Sequence, residues 1–323
     1  MLNGWIILDK PHGLGSTQGV GAVKRALREG GYAKVKVGHG GTLDPLATGV
    51  LPIALGEATK LAGRMLDSDK IYDFTIGFGI ETDTLDLEGV SVAVNDVRPT
   101  LEEIEAILPR FTGLIDQVPP AYSALKVDGK RAYDLARAGE VVELKSRNVI
   151  IHSLCASAPL REQFNIGRLA DRGRIGFAQR RGGAEEREEL DSITLIAHVS
   201  KGTYIRSLAR DISRALGTVG HVTMLRRTKA GPFALPQAIS LDKLFEKSNA
   251  RSLEDITLPL KTALVDIPAF ALTPEQAKLI QQGRVLTGIA APDGLTLATL
   301  AETPVALVVL HNGTVTVERG FNL

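Results

Sequence analysis

Between residues 39 and 56 the chain reads HGGTLDPLATGVLPIALG, and this stretch limits its folding choices most. Gly40, Gly41 and Pro45 all oppose a helix, the glycines through backbone entropy and the proline through its missing N–H. An apolar run follows at once, so the segment reads as a rigid loop at the lip of a hydrophobic core. One carboxylate, Asp44, is wedged between Leu43 and Pro45. Two readings of it stay open. Asp44 can close a turn by hydrogen bonding its own backbone, or it can be a carboxylate presented for chemistry. An unpaired carboxylate in an apolar setting would protonate and become a poor nucleophile, so the second reading needs a cation. Arg206, on the first turn of a predicted helix, and Lys70 are the candidates. The glycines leave room for a flat ligand against the backbone, and His39 adds a planar side chain that can stack or wedge. Tyr72, on the apolar face of a predicted strand, is either a core aromatic or a cover for a flat substrate.

Elsewhere, Trp5 to Leu8 reads as a buried strand ended by Pro11-His12-Gly13, and Ser16 is expected to cap a helix whose inner face includes Val20, Val23 and Leu27. Residues 70–79, KIYDFTIGFG, alternate so that Lys70, Tyr72, Phe74, Ile76 and Phe78 share one strand face. An acidic loop, TDTLDLEG, follows, then a capping box from Thr100 and Glu103. Residues 119–139 combine a Pro-Pro break, an Asp128-Gly129 hairpin and a basic helix. Strands are expected at Val149–Cys155 and Ile193–Val199. Between them, residues 161–190 hold seven arginines and six acidic residues with little periodicity, the composition of a mobile surface insertion. TYIRSLARDISRAL, 203–216, is the strongest helix, with Ile205, Leu208, Ile212 and Ala215 inside and Gly217 at its C′ position. Residues 229–262 are looser and mark a boundary. The tail opens with a Thr273-Pro274-Glu275-Gln276 cap and continues as short strands around an Asn312-Gly313 turn, a small, mostly β appendage.

A chain of 323 residues can bury a sizeable core, but its net charge of +1 gives no bulk attraction to polyanions. Basic residues cluster locally instead: Lys126, Lys130, Arg131 and Arg137; Arg206, Arg210 and Arg214 at helical spacing; Arg226, Arg227 and Lys229. Each cluster is either a solvated face or part of a phosphate-tracking surface. The single cysteine, Cys155, precludes an internal disulfide and a cysteine zinc site, and is expected as a small core or strand residue. The six histidines show no ligand spacing, so no metal site is expected. No stretch approaches the roughly 18 apolar residues of a membrane span, and a cytoplasmic setting is the default. Gly77-Phe78-Gly79 lacks the rest of a dinucleotide fingerprint, no P-loop is present, and Ser123-Ala-Leu-Lys126 lacks the other elements of a penicillin-binding site. The residues alone leave two readings of Asp44 standing: a plain turn residue, or the one catalytic Asp of a cytosolic enzyme with RNA as a candidate partner.

HGGTLDPLATGVLPIALGEATK closely resembles the catalytic motif of the TruB family, the bacterial tRNA pseudouridine-55 synthases. LDKPHG at 8–13, DKIYDFTIGFGIETDTLDLEG at 69–89, VPPAYSALKVDGKRAYDLAR at 118–137, and SKGTYIRSLARDISRALG with HVTMLRRT at 200–228 are similar to its other motifs, in family order. The resemblance implies an α+β pseudouridine synthase fold with a long, mainly antiparallel mixed sheet flanked by helices, plus a small C-terminal β-rich PUA-like domain. It places the catalytic domain at 1–232, including the 161–190 insertion, a connecting segment at 233–263, and the RNA-binding PUA-like domain at 264–323. It implies an isomerase that needs neither metal nor cofactor. One uridine of the tRNA T-loop, position 55, is flipped out, cut at C1′–N1, rotated and rejoined through C5. Asp44 takes the role of catalytic carboxylate, Tyr72 stacks on the base, and Arg206 pairs with Asp44. His39 fills the space the flipped base leaves. Lys10 and Leu225 match positions near the RNA site, with support as the expected role. Lys126, Lys130, Arg131 and Arg137 grip phosphates. The partner is the tRNA T-arm, and the chain is expected as a cytoplasmic monomer without an obligate protein partner. Two rival readings share the fold: a non-catalytic RNA-binding or tRNA-folding protein, and a synthase acting on another RNA. Gly15 stands where the family usually has Thr, and the 161–190 insertion is longer than the usual connection.

Overall fold

The computed structural model describes residues 2–123, 125–127, 129–138, 144–157 and 188–323. The arginine-rich segment at 161–190 lies outside the described residues except for its last three. The chain divides into two compact units: Met1–Ser68 with Lys229–Leu323, and Asp69–Thr228.

The first unit begins with β1 (Gly4–Lys10), α1 (Ser16–Glu29), β2 (Val37–His39), β3 (Thr48–Leu55) and α2 (Ala62–Asp67). β3 pairs antiparallel with β1 along its whole length, Gly4 to Leu55 through Lys10 to Gly49, and with β2 through Ile53 to Leu55. The apolar run after Asp44 is thus a strand buried on both faces, which is why it shows no alternation. On one face Leu51, Ile53 and Leu55 join Ile6, Leu8 and the Val20, Val23 and Leu27 stripe of α1. On the other, Val50 and Ala54 join Trp5, Ile7, Met65 and Phe233.

The second unit runs through β4 (Lys70–Phe78), β5 (Ile80–Thr82), β6 (Ser91–Val94), α3 (Leu101–Ile107), β7 (Gly113–Gln117), β8 (Lys126–Val127), β9 (Lys130–Arg131), α4 (Ala132–Arg137), β10 (Arg147–Ala156), β11 (Ser192–Val199), α5 (Ile205–Ala215) and β12 (Gly220–Ala230). Its sheet has the order β12-β4-β11-β10-β7, with β4–β11, β11–β10 and β10–β7 antiparallel. The alternation of residues 70–79 is realised as expected: Phe74, Ile76 and Phe78 enter the core with Leu195, Ala197, Leu208 and Ile212, and Tyr72 packs at its margin. The Thr100–Glu103 box caps α3 reciprocally, with bonds of 2.9 and 3.3 Å. Cys155 lies on β10 as expected for a strand residue, but on its exposed face, so it is not part of the core.

The first unit resumes with β13 (Phe233–Ala234), α6 (Leu241–Asn249), β14 (Ala269–Ala271), α7 (Pro274–Gln281), β15 (Gly294–Leu300), β16 (Thr303–His311) and β17 (Thr314–Gly320). Residues 233–263 are not a linker. Ile239 and Leu258 exchange backbone hydrogen bonds with β1, the Trp5 indole donates to the Leu260 carbonyl, and Ser248 donates to Ala26 at the end of α1. The sequence hides this because β1 satisfies the segment's backbone from more than 200 residues away. The four-stranded tail sheet, β14-β15-β16-β17, is the small β appendage expected, with one parallel pair and an Asn312-Gly313 turn in the left-handed region. Leu297, Leu307 and Phe321 of the tail share the Trp5 core, so this sheet belongs to the first unit.

Candidate active site

The Asp44 loop is fixed by its neighbours on both sides. The Ser16 hydroxyl accepts from the Leu43 N–H at 2.8 Å and donates to the Leu43 carbonyl at 2.9 Å. Ser16 is therefore not the helix cap expected from the sequence. Gly15 occupies that position, and the buried Ser16 hydroxyl is committed to the loop. On the other side of Asp44, the fully buried Lys10 ammonium donates to the carbonyls of Pro11, Leu14 and Pro45 at 3.0, 2.6 and 3.0 Å. Burying an ammonium is costly unless its protons are received, and three carbonyls from two loops, 11–14 and the Asp44 loop, receive them here. Asp44 itself is half-buried and its carbonyl accepts from Ala47. Gly40 has a reason to lack a side chain: a Cβ there would lie 2.6 Å from the Met65 Cβ. Gly41 adopts φ 141°, which favours glycine. His39, half-buried at the end of β2, accepts the Gly41 N–H at its Nδ1, 3.4 Å away.

Removing the Ser16 hydroxyl would strand a buried N–H and a buried C=O together. Ser16→Ala is expected to lower stability by about 2 kcal/mol in urea denaturation. It should also lower kcat more than it raises KM, because the loop moves and no substrate contact is lost.

In the second unit, Tyr72 sits on β4 opposite Ala197, half-buried against the core, with Leu225 of β12 packed on the same cluster. Burial pushes the carboxyl of neighbouring Asp73 upward, and the charge of Arg226 opposes this. Arg206 begins the second position of α5 and is buried. Its guanidinium donates to the carbonyls of Thr84 and Tyr122 at 2.9 and 3.0 Å and pairs with Asp86 at 3.2 Å. Asp86, equally buried, also accepts the Glu88 N–H at 3.0 Å. Leu85 between Thr84 and Asp86 holds φ 63°, a strained backbone for a branched side chain. The acidic loop was visible in the sequence, but nothing in it distinguished Asp86 from Asp83 or Glu88 as the buried anion. Burial and the Asp83 hydrogen bond push the Tyr122 phenol up, so it stays neutral.

A model described as TruB family pseudouridylate synthase (N terminal domain) matches residues 27–167, and one described as tRNA pseudouridylate synthase B C-terminal domain matches 206–265. A protein of Novosphingobium aromaticivorans called tRNA pseudouridine synthase B is 62% identical over 100% of this chain and 98% of its own. The chain belongs to the TruB family of pseudouridylate synthases. A relative of the same name from Zymomonas mobilis is 54% identical over 99% of this chain and 96% of its own. Among solved structures, a chain of a Cbf5-Nop10-Gar1 complex superimposes with a TM-score of 0.67 at 24% identity, covering 99% of this chain and 85% of the other. At that identity the likeness shows the fold alone: the mixed α+β pseudouridine synthase fold that the motifs implied.

Within this TruB-family enzyme the basic residues divide sharply. Lys130 and Arg137 are exposed, and the Arg137 guanidinium stacks 4.7 Å from the Tyr133 ring. The backbone places Lys126 and Arg131 on the paired strands β8 and β9. The arginines of α5 do not form a phosphate-tracking face. Arg206 pairs with Asp86, Arg210 with Asp211 at 2.8 Å while donating to Val118, and Arg214 with Glu81 at 2.8 Å. Arg227 is buried as well. Helical spacing alone cannot tell a free cation from one already paired by another segment. Lys10 also departs from the RNA-contacting group, since its complete burial excludes direct contact with a polyanion and leaves the supporting role. No helix among the described residues is long and apolar enough to cross a membrane.

Proposed function

We propose that this enzyme converts uridine to pseudouridine in tRNA, at position 55 of the T-loop, with Asp44 as the catalytic carboxylate. What carries the reading is the 62% identity along the whole chain to a tRNA pseudouridine synthase B, together with a rigid loop in which both neighbours of the one carboxylate are clamped. The uridine is flipped from its stack, and His39 fills the space it leaves. The C1′–N1 bond breaks, the uracil turns in place, and C5 bonds to C1′. The C5 proton leaves and N1 gains one, so atoms balance and no oxidant or metal is called for. Tyr72 covers the base, Leu225 supports it from β12, and Arg206 supplies the positive charge that keeps a carboxylate ionised in a closed site. Because C5 loses its hydrogen, tRNA carrying 5-tritiated uridine should release tritium stoichiometrically with product. Mapping modified positions in RNA from cells lacking the gene tests the site: loss at position 55 is expected, and loss elsewhere with 55 intact sinks the assignment.

Lys126, Lys130, Arg131 and Arg137 hold tRNA phosphates, and the tail sheet serves as a PUA-like RNA-binding module. Lys130→Ala is expected to weaken tRNA binding across sequences alike and to reduce the slope of log affinity against log salt by about 1. Unchanged affinity and slope in filter binding would remove Lys130 from the interface.

A further inference from the structure

Strand pairing in the second unit brings together three groups that lie far apart in sequence. His198 on β11 pairs with Ile71 of β4, so its side chain shares the strand face of Ile71 and Asp69. Across the other edge of β11, β10 is bulged: Ile151 pairs with Val199 and Ser153 with His198, leaving His152 as the extra residue. The buried positions of β10 step from Val149 and Ile151 to Leu154 and Ala156 across this bulge, so His152 and Ser153 both face outward. A bulge of this kind re-aims a side chain, and here it turns His152 toward His198. The imidazole rings lie 4.6 Å apart at 42°, and the Asp69 carboxylate oxygen Oδ2 lies 3.3 Å from His152 Nε2 and 3.8 Å from His198 Nε2. Tyr72 points the opposite way from β4, so this cluster lies on the other face of the sheet.

We propose that Asp69, His152 and His198 form a binding site for a divalent metal of the zinc class. The ligand atoms fall within 4.8 Å of one another. Tetrahedral zinc with bonds of about 2.0–2.1 Å requires ligand separations of about 3.3 Å, so small side-chain rotations close the three atoms round an ion. Two imidazoles and one carboxylate are a borderline donor set that suits zinc over calcium or magnesium, and water completes the fourth position. The three ligands come from β10, β11 and the residue preceding β4, so the ion ties three adjacent strands together on the solvent side. Ligand spacing in sequence is a property of local motifs and is silent on this cluster, because here strand register supplies the proximity.

The test uses the full chain, purified without a histidine tag and stripped with chelator. Titration with Zn²⁺ by calorimetry should show one site, and Co²⁺ should give the visible absorption of a low-coordinate ion. Loss of an outer-shell partner alone weakens metal sites by about 10–100-fold. His152→Ala, His198→Ala and Asp69→Asn are each expected to weaken Zn²⁺ at least about tenfold, and the double histidine variant to abolish it. The residues are solvent-facing, so melting in chelator should match the parent, while the rise in Tm that Zn²⁺ gives the parent disappears. His311→Ala, which removes a similar surface contact to Asp293 at 3.4 Å, should leave binding unchanged. Absence of both the binding heat and the cobalt spectrum overturns the site, as does undiminished affinity in the double variant.

Discussion

Asp44→Asn is expected to lower the rate of pseudouridine formation by roughly a thousandfold or more, a barrier increase of about 4 kcal/mol, while tRNA still binds. The substitution keeps the shape of the side chain and removes its charge and its nucleophilic oxygen. The loop should hold its course, because the bonds of Ser16 to Leu43 and of Lys10 to Pro45 run to backbone atoms that the substitution leaves in place. Stability should therefore stay within about 1 kcal/mol of the parent, a Tm change of roughly 2–4 °C at most. Single-turnover tritium release measures the chemistry and filter binding the affinity. Turnover at the parental rate would show that the carboxylate has no part in the reaction.

Where a signal was local, the sequence was sufficient. The period-two pattern of 70–79, the Thr100–Glu103 and Thr273–Gln276 caps, Gly217 after α5 and the Asn312-Gly313 turn each depend on neighbours within a few residues, and each stands where it was expected. The unseen features depend on partners distant in the chain. Ser16 read as a cap because Ser before a helix usually is one, yet its hydroxyl is claimed by Leu43. Residues 233–263 read as a connector because their hydrogen-bond partners on β1 lie at the other end of the chain. Arg214 read as part of a basic stripe because Glu81, which pairs with it, lies more than 130 residues earlier in the chain. The site shows the same division. Motif resemblance proposes Asp44, Tyr72 and Arg206, but it carries no sign of the contacts found around two of them: the Lys10 and Ser16 clamp beside Asp44 and the buried Asp86 beside Arg206.

Asp86→Ala is expected to cost about 3–5 kcal/mol of stability, the largest single effect on the fold foreseen here. Only 8% of the Arg206 side chain and 5% of the Asp86 side chain are accessible to water, so removing the anion takes a negative charge 3.2 Å away from a guanidinium in a poorly solvated place. The penalty falls on a buried guanidinium that has lost this counter-charge without regaining water. Arg206→Met added to Asp86→Ala should therefore restore much of the loss, although the Thr84 and Tyr122 carbonyls would still lack their donors. Activity should behave differently. The single variant loses the anchor that orients Arg206 and the double variant loses the cation altogether, so both should fail in tritium release even where the double is well folded. Urea denaturation of the parent, the two single variants and the double closes the cycle. A cost below about 1 kcal/mol for Asp86→Ala would mean that the pair is solvated like an ordinary surface bridge. A stable double variant with parental turnover would remove Arg206 from the chemistry and leave it a purely structural cation.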